Sequence, residues 1–276
     1  MVDCHTHVFP PKVAPRLVEA IGRDLGLTPA GDGTAEDLVR HLDRAGLTHA
    51  LCFTAALRPD QMIPANSWML ALRRANSRLI PLGTVHPDHP DWKSELSRLE
   101  RNGIRGLKIH PDLCGIDLDS SRWNPVWEAA AGRFLVMLHM GPVREGGATL
   151  SRPRDLALVL KNFPGLTVIA AHLGGQYQWA QTLEHLAGLN LYMDTSCCPG
   201  VVPAQAFDAI LRRHDPERIL FGSDYPLHAP DVELTALGDL LRRVGASPER
   251  ILRNGARMAK ALQFGGFPDP APAPGH

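Results

Sequence analysis

His5 and His7 stand two residues apart in the opening run Asp3-Cys4-His5-Thr6-His7. Alternate side chains of an extended strand share one face, so both imidazoles can point at one place. Lys108 and His110 repeat that spacing further along. His139 ends the apolar run Leu135-Val136-Met137-Leu138, and His172 ends Val168-Ile169-Ala170-Ala171. Asp194 and Ser196 follow Leu191, and Asp224 follows Ile219-Leu220-Phe221-Gly222-Ser223. Neutral imidazoles and one carboxylate are good Zn²⁺ ligands, and a catalytic shell keeps a position open for water. Water held there ionises near neutral pH. A neighbouring His or Asp can then move the proton.

Each piece alone has an ordinary explanation. A His-x-His pair is short and unspecific. His139 could be a core histidine with a satisfied ring. Asp224, just before Tyr225-Pro226, could cap a turn. Together they resist that account, because several unpaired ionisable groups buried around one axis are costly and a metal removes the cost. Cys4 alternates with the two His and is expected to point away from them into the core. Asp3 is in phase with them but deeper, so a structural hydrogen bond is expected from it.

Something must position these residues. Eight short runs, apolar throughout or nearly so, read as strands buried on both faces: residues 2–8, 48–54, 80–85, 106–110, 135–139, 167–172, 191–194 and 219–222. Between them lie helical patterns at 35–45 (capped by Thr34, stopped by Gly46), 66–76, 92–102 (stopped by Gly103), 123–133, 154–162, 178–187, 204–214, 232–244 and 248–262. Such alternation predicts a single-domain α/β fold, a closed (β/α)₈ TIM barrel over residues 1–262. A doubly wound sheet is the competitor, but no GxGxxG or GxxxxGK[ST] loop opens the chain. Barrel enzymes work at the C-terminal ends of their strands, and six of the eight runs end on a polar or ionisable residue. Residues 263–276, rich in Pro, Gly and Ala, are expected to form a flexible tail.

Composition narrows the function class. Lys plus Arg equals Asp plus Glu at 29 each, which argues against nucleic acid and against a polybasic membrane surface. No apolar run reaches the length of a transmembrane helix, and the N-terminus lacks a secretory pattern. The five Cys include the neighbours Cys197 and Cys198 and do not resemble a disulfide framework, so reduced thiols and a cytoplasmic location are expected.

The ordered strings Asp3-Cys4-His5-Thr6-His7, Gly106-Leu107-Lys108-Ile109-His110-Pro111, Leu138-His139-Met140-Gly141, Ala171-His172-Leu173-Gly174-Gly175 and Phe221-Gly222-Ser223-Asp224-Tyr225-Pro226 resemble the amidohydrolase superfamily. Within it they are similar to the amidohydrolase-related group that includes aminocarboxymuconate semialdehyde and resorcylate decarboxylases. The resemblance spans residues 1–262. It implies a distorted (β/α)₈ barrel with a divalent metal, zinc ahead of manganese. His5, His7, His139 and Asp224 look like its ligands. His172 looks like the strand-6 His that stays off the metal in one-metal members and, with Asp224, handles protons. Lys108 is ambiguous. In two-metal relatives a carboxylated strand-4 Lys bridges the metals; in the one-metal arrangement expected here it would hold an anionic substrate group. His86, His110 and Arg144 are further candidates for substrate contact.

The resemblance implies a metal-dependent hydrolase of an ester, lactone or amide-type bond in a small, carboxylate-bearing molecule. A non-oxidative decarboxylase or hydratase is the alternative, since the same shell serves both. Decarboxylases of the group tend to carry long insertions, and 276 residues tilt the expectation toward hydrolysis. A barrel that binds metal without turnover is a third reading. A homodimer is the general expectation for oligomeric state.

Overall fold

The computed structural model describes residues 1–264. Nine strands carry the apolar runs: β1 (Val2–His7), β2 (His49–Phe53), β3 (Leu79–Pro81), β4 (Gly83–Thr84), β5 (Gly106–Ile109), β6 (Leu135–Leu138), β7 (Thr167–Ala170), β8 (Tyr192–Asp194) and β9 (Ile219–Leu220). All pair in parallel, in the orders β1-β2-β3 and β4-β5-β6-β7-β8-β9. β3 and β4 are one pass of chain broken at Leu82, whose N–H still donates to Cys52 O at 2.9 Å. Past β9 the chain returns to β1. Cys4 N–H donates to Phe221 O (2.8 Å), His7 N–H to Tyr225 O (2.6 Å) and Asp224 N–H to His5 O (2.9 Å). These bonds carry the ring from its last strand back to its first, giving the eight-position (β/α)₈ barrel that the alternation predicted.

The helices are α1 (Ala14–Leu25), α2 (Ala35–Ala45), α3 (Met62–Ala75), α4 (Trp92–Arg101), α5 (Pro111–Cys114), α6 (Asn124–Ala130), α7 (Pro153–Asn162), α8 (Trp179–His185), α9 (Ala204–Arg213), α10 (Pro230–Arg243) and α11 (Pro248–Phe264). α2 has its expected bounds, with Thr34 accepting from Asp37 N–H and Gly46 left-handed at its end. α1 was not anticipated. No side chain caps its start, but Pro15 in its first turn, Gly26 just past its end and buried Ala14, Val18 and Gly22 at i, i+4 spacing are its signals. α11 runs to Phe264, two residues past the expected end of the barrel, and the rest of the expected tail, 265–276, lies outside the described residues.

Two layers of apolar side chains follow from alternation along each strand. On β6, Leu135 and Met137 face the barrel interior with Leu51, Phe53, Ile169 and Leu220, while Val136 and Leu138 pack outward under the helices. α11 brings Met258, Ala259 and Leu262 into the interior cluster and closes the floor. That leaves the opposite end, where the strands finish, for polar groups. No helix among the described residues is long and apolar enough to cross a membrane.

β1 departs from strict alternation. Its register against β2 shifts between Asp3 and Thr6. The extra residue of such a bulge re-aims the side chains beyond it. Cys4 is buried as expected, but it joins Val2 in the interior cluster instead of pointing away from the His face.

Candidate active site

His5, His7, Asp224 and Lys108 converge where the strands end. Asp224 Oδ1 lies 3.3 Å from His5 Nε2 and 3.2 Å from His7 Nε2. Lys108 Nζ lies 3.4 Å from His5 Nε2 and 4.7 Å from the centre of the Phe53 ring. Phe53 also meets the edges of His5 and His7, so an apolar wall backs the polar group. Gly222 permits the closure, since a Cβ there would stand 2.6 Å from His5 Cβ. All these groups are buried except His7, whose side chain is 22% exposed and marks the open side.

His172 and His139 form the neighbouring part. His172 Nε2 is 3.2 Å from His139 Nδ1. Strand phase alone would turn His172 outward, alongside Val168 and Ala170. Instead β7 ends and the backbone turns left-handed at His172 (φ 60°) and Leu173 (φ 54°), which re-aims the ring. His172 Nδ1 stands 3.1 Å from Ser196 O, and His139 Nε2 stands 3.1 Å from Gly141 O. A carbonyl oxygen only accepts. Neutral rings therefore donate outward and leave two bare nitrogens facing each other. A bound cation or a shared proton resolves that arrangement.

The amidohydrolase family profile matches residues 2–253. This chain belongs to the amidohydrolase family. No curated protein matches the sequence. Among solved structures, an uncharacterised TIM-barrel protein from Bordetella bronchiseptica aligns with TM-score 0.70 at 19% identity, over 95% of this chain and 99% of that one. 5-Carboxyvanillate decarboxylase from Sphingomonas paucimobilis aligns at 0.63 and 17%, over 94% and 98%. A putative 2-pyrone-4,6-dicarboxylic acid hydrolase from Pseudomonas putida aligns at 0.62 and 20%, over 95% and 98%. At such identities the likeness shows a shared fold.

The family is metal-dependent, and the amidohydrolase donor set here fits a cation. His5, His172 and Asp224 each offer a ligand atom within 4.8 Å of the others. Asp224 Oδ1 is buried and accepts no hydrogen bond, although two imidazole nitrogens are within reach. Ligand atoms bound at about 2.1 Å in a tetrahedral shell stand about 3.4 Å apart, close to the spacings seen. His139 falls in a second group with His110 and Asp112, its ring stacked on His110 at 3.8 Å and 11°. Of the four ligands suggested by the resemblance, His5, His7 and Asp224 thus meet at one oxygen. His139 joins them through His172, the histidine expected to stay off the metal.

Burial and the Lys108 charge push His5 down, but the Asp194 and Asp224 carboxylates hold it above the ordinary imidazole range; at the other site histidines and at Lys108 burial dominates. It pushes His7 and His172 down to about 4 despite the pull of Asp224. It also lowers Lys108 to about 8, against the attraction of Asp224 and Asp194. His110 and His139 are held well below the ordinary imidazole range, first by burial and then by Lys108 and the neighbouring histidines. Neutral imidazoles are what metal ligation requires. Asp3 behaves as a structural group: its Oδ1 accepts from His5 N–H (3.1 Å) and Ser223 N–H (3.0 Å).

The remaining candidates separate. His110 caps α5, its Nδ1 accepting from Leu113 N–H. His86 Nδ1 accepts from Asp88 N–H at 3.3 Å in its own turn. Arg144 is exposed, and its guanidinium makes no hydrogen bond among the described residues. Neither His86 nor Arg144 is brought to the His5–Asp224 group. Two residues noted at a strand end without a role, and one not singled out from sequence, complete the site. Asp194 and Ser196 bond His5 and His172 directly, and Cys197 Sγ–H donates to Asp224 Oδ2 at 2.9 Å. The position of Asp194 and Ser196 at a strand end was the signal for them. Nothing local marks Cys197.

Proposed function

We propose that this amidohydrolase is a metal-dependent hydrolase that cleaves an ester, lactone or amide-type bond in a small, carboxylate-bearing molecule. The observation that carries the reading is Asp224 Oδ1, a buried carboxylate oxygen with two imidazole nitrogens within 3.3 Å and no well-aligned hydrogen bond. His5, His7 and Asp224 would hold one divalent ion, zinc before manganese, with His139 and His172 alongside. Such an ion polarises a carbonyl oxygen and acidifies water.

The chain's own residues do the rest. The Lys108 ammonium, set on the Phe53 face, binds and orients the substrate carboxylate. His172 Nε2, bare while Nδ1–H donates to Ser196, accepts the proton of the attacking water, with Asp224 Oδ1 sharing that role. The same groups return it to the leaving atom. His110, stacked on His139, borders the substrate space. His86 and Arg144 reach substrate only if it extends into the loops beyond their strands. Residues 1–262 act as one catalytic domain, and the reading takes a cytoplasmic homodimer without nucleic-acid partners.

Decarboxylation is the second reading, because a buried ammonium beside the ligands can equally hold a departing carboxylate. Zinc-loaded protein should hydrolyse members of an ester and lactone panel, releasing protons and no CO₂, with one zinc per chain. CO₂ release would replace the hydrolase reading with a decarboxylase. Two metals per chain would point to a carboxylated Lys108. Bound zinc without turnover across the panel would leave a non-catalytic barrel.

A further inference from the structure

Asp194 ends β8 and is fully buried. Its carboxylate collects four donors. Oδ2 faces His5 Nδ1 at 2.9 Å. Oδ1 accepts from His172 N–H (3.2 Å), from Ser196 N–H (3.0 Å) and from the Ser196 hydroxyl. Among the described residues, His5 is its only ion-pair partner. We propose that Asp194, acting partly through Ser196, is the positioning residue that sets ring tautomer and orientation for both His5 and His172, so that each presents a bare Nε2 to the reaction centre.

The hydrogen-bond inventory dictates this. An ionised carboxylate oxygen only accepts, so His5 must carry its proton on Nδ1. The other tautomer would set two lone pairs 2.9 Å apart in a buried site. Ser196 passes the constraint on. Its hydroxyl proton is committed to Asp194, so its Oγ offers only lone pairs to His172 Nδ1 at 3.0 Å. Its carbonyl, 3.1 Å from the same nitrogen, is a second acceptor. His172 is therefore also Nδ1–H. The bond from His172 N–H to Asp194 holds the left-handed backbone that aims the ring inward. One carboxylate thus orients residues delivered by β1 and by the turn after β7.

The tautomers follow from geometry alone. Their value to the reaction rests on the metal-dependent reading above. Asp194→Asn keeps the shape but turns one oxygen into an amide N–H₂ donor. Long-range ¹H–¹⁵N spectra of metal-free, histidine-labelled protein read the tautomers, with the His5 signal assigned by its loss in His5→Gln. In wild type at alkaline pH, where the His5 ring is neutral, His5 and His172 should both be Nδ1–H. In D194N, His5 should shift to Nε2–H, and zinc affinity by chelator competition should fall about 10- to 100-fold. An Nε2–H His5 in the wild-type protein would overturn the proposal even if D194N fails to fold. So would an unchanged tautomer or unchanged zinc affinity in a folded D194N. Failure of the wild type to bind zinc, with His5 as Nδ1–H, would sink the metal-dependent reading and leave the tautomer assignment standing.

Discussion

The two oxygens of Asp224 have different partners. Oδ2 takes the Cys197 thiol, and Oδ1 faces His5 and His7 without a hydrogen bond. Asp224 is therefore near both His5 and His7, the candidate ligands, whereas His172 is tied to His139 and Ser196. Substitutions at the two positions should separate metal binding from proton transfer. Asp224→Asn should lower zinc content and turnover together. His172→Asn should leave zinc bound through His5, His7 and Asp224 while turnover falls at least about 100-fold, within the range of a lost acid–base group. Metal analysis beside initial rates checks this. Loss of zinc from the His172 variant would make His172 a ligand. The candidate ligands were legible in sequence because His139 and Asp224 follow apolar runs and His5 and His7 share one strand face. Cys197 was not, because its meeting with Asp224 depends on a left-handed turn at residue 197 (φ 55°) after β8.

At the scale of elements, α9 is tied to the start of the strand that carries Asp194 by one histidine. His214, just past α9, donates from Nε2 to Leu191 O at 3.1 Å and accepts at Nδ1 from Gly188 N–H at 3.2 Å. Both nitrogens are used only while the ring is neutral, and burial pushes His214 from its ordinary 6.5 down to about 4. Between those values the unfolded chain takes up a proton that the folded chain refuses. Stability from His214 should be complete above about pH 6.5 and fall as pH drops toward 4, by at most roughly 3 kcal/mol. Urea unfolding of wild type and His214→Gln across that range should show the pH-dependent gap between them closing at low pH. A gap independent of pH would refute it. Strand and helix placement was readable from periodicity, which is local. α1 was missed because its start lacks a side-chain cap. β3 and β4 read as one strand because the break at Leu82 lies in an unbroken apolar run.

For the molecule as a whole, the barrel's two ends do different work. α11 seals the floor with Met258, Ala259 and Leu262, while the polar groups gather at the opposite rim. Leu262→Ala should cost about 2–5 kcal/mol of stability, as large-to-small core changes do. It should leave kcat and zinc affinity within about twofold of wild type, since effects at separated sites add independently. Thermal melts and steady-state rates on the same preparation test the separation. A large loss of kcat in a folded variant would show that floor and rim are coupled.

By itself the sequence determined the ring of strands, the wrap of helices and which residues stand at the strand ends. Apolar periodicity and end position are properties of neighbouring residues, so they survive without coordinates. Tertiary structure decided which of those side chains meet. The register shift in β1 re-aims the residues after Asp3 and keeps Cys4 on the inner side. The left-handed backbone at His172 turns inward a ring that strand phase would send outward. The oxygens of Asp194, Ser196 and Gly141, brought up from other segments or loops, fix which imidazole nitrogens are bare. These outcomes depend on phase changes and on acceptors distant in sequence, and neither is written in the spacing of His5 and His7.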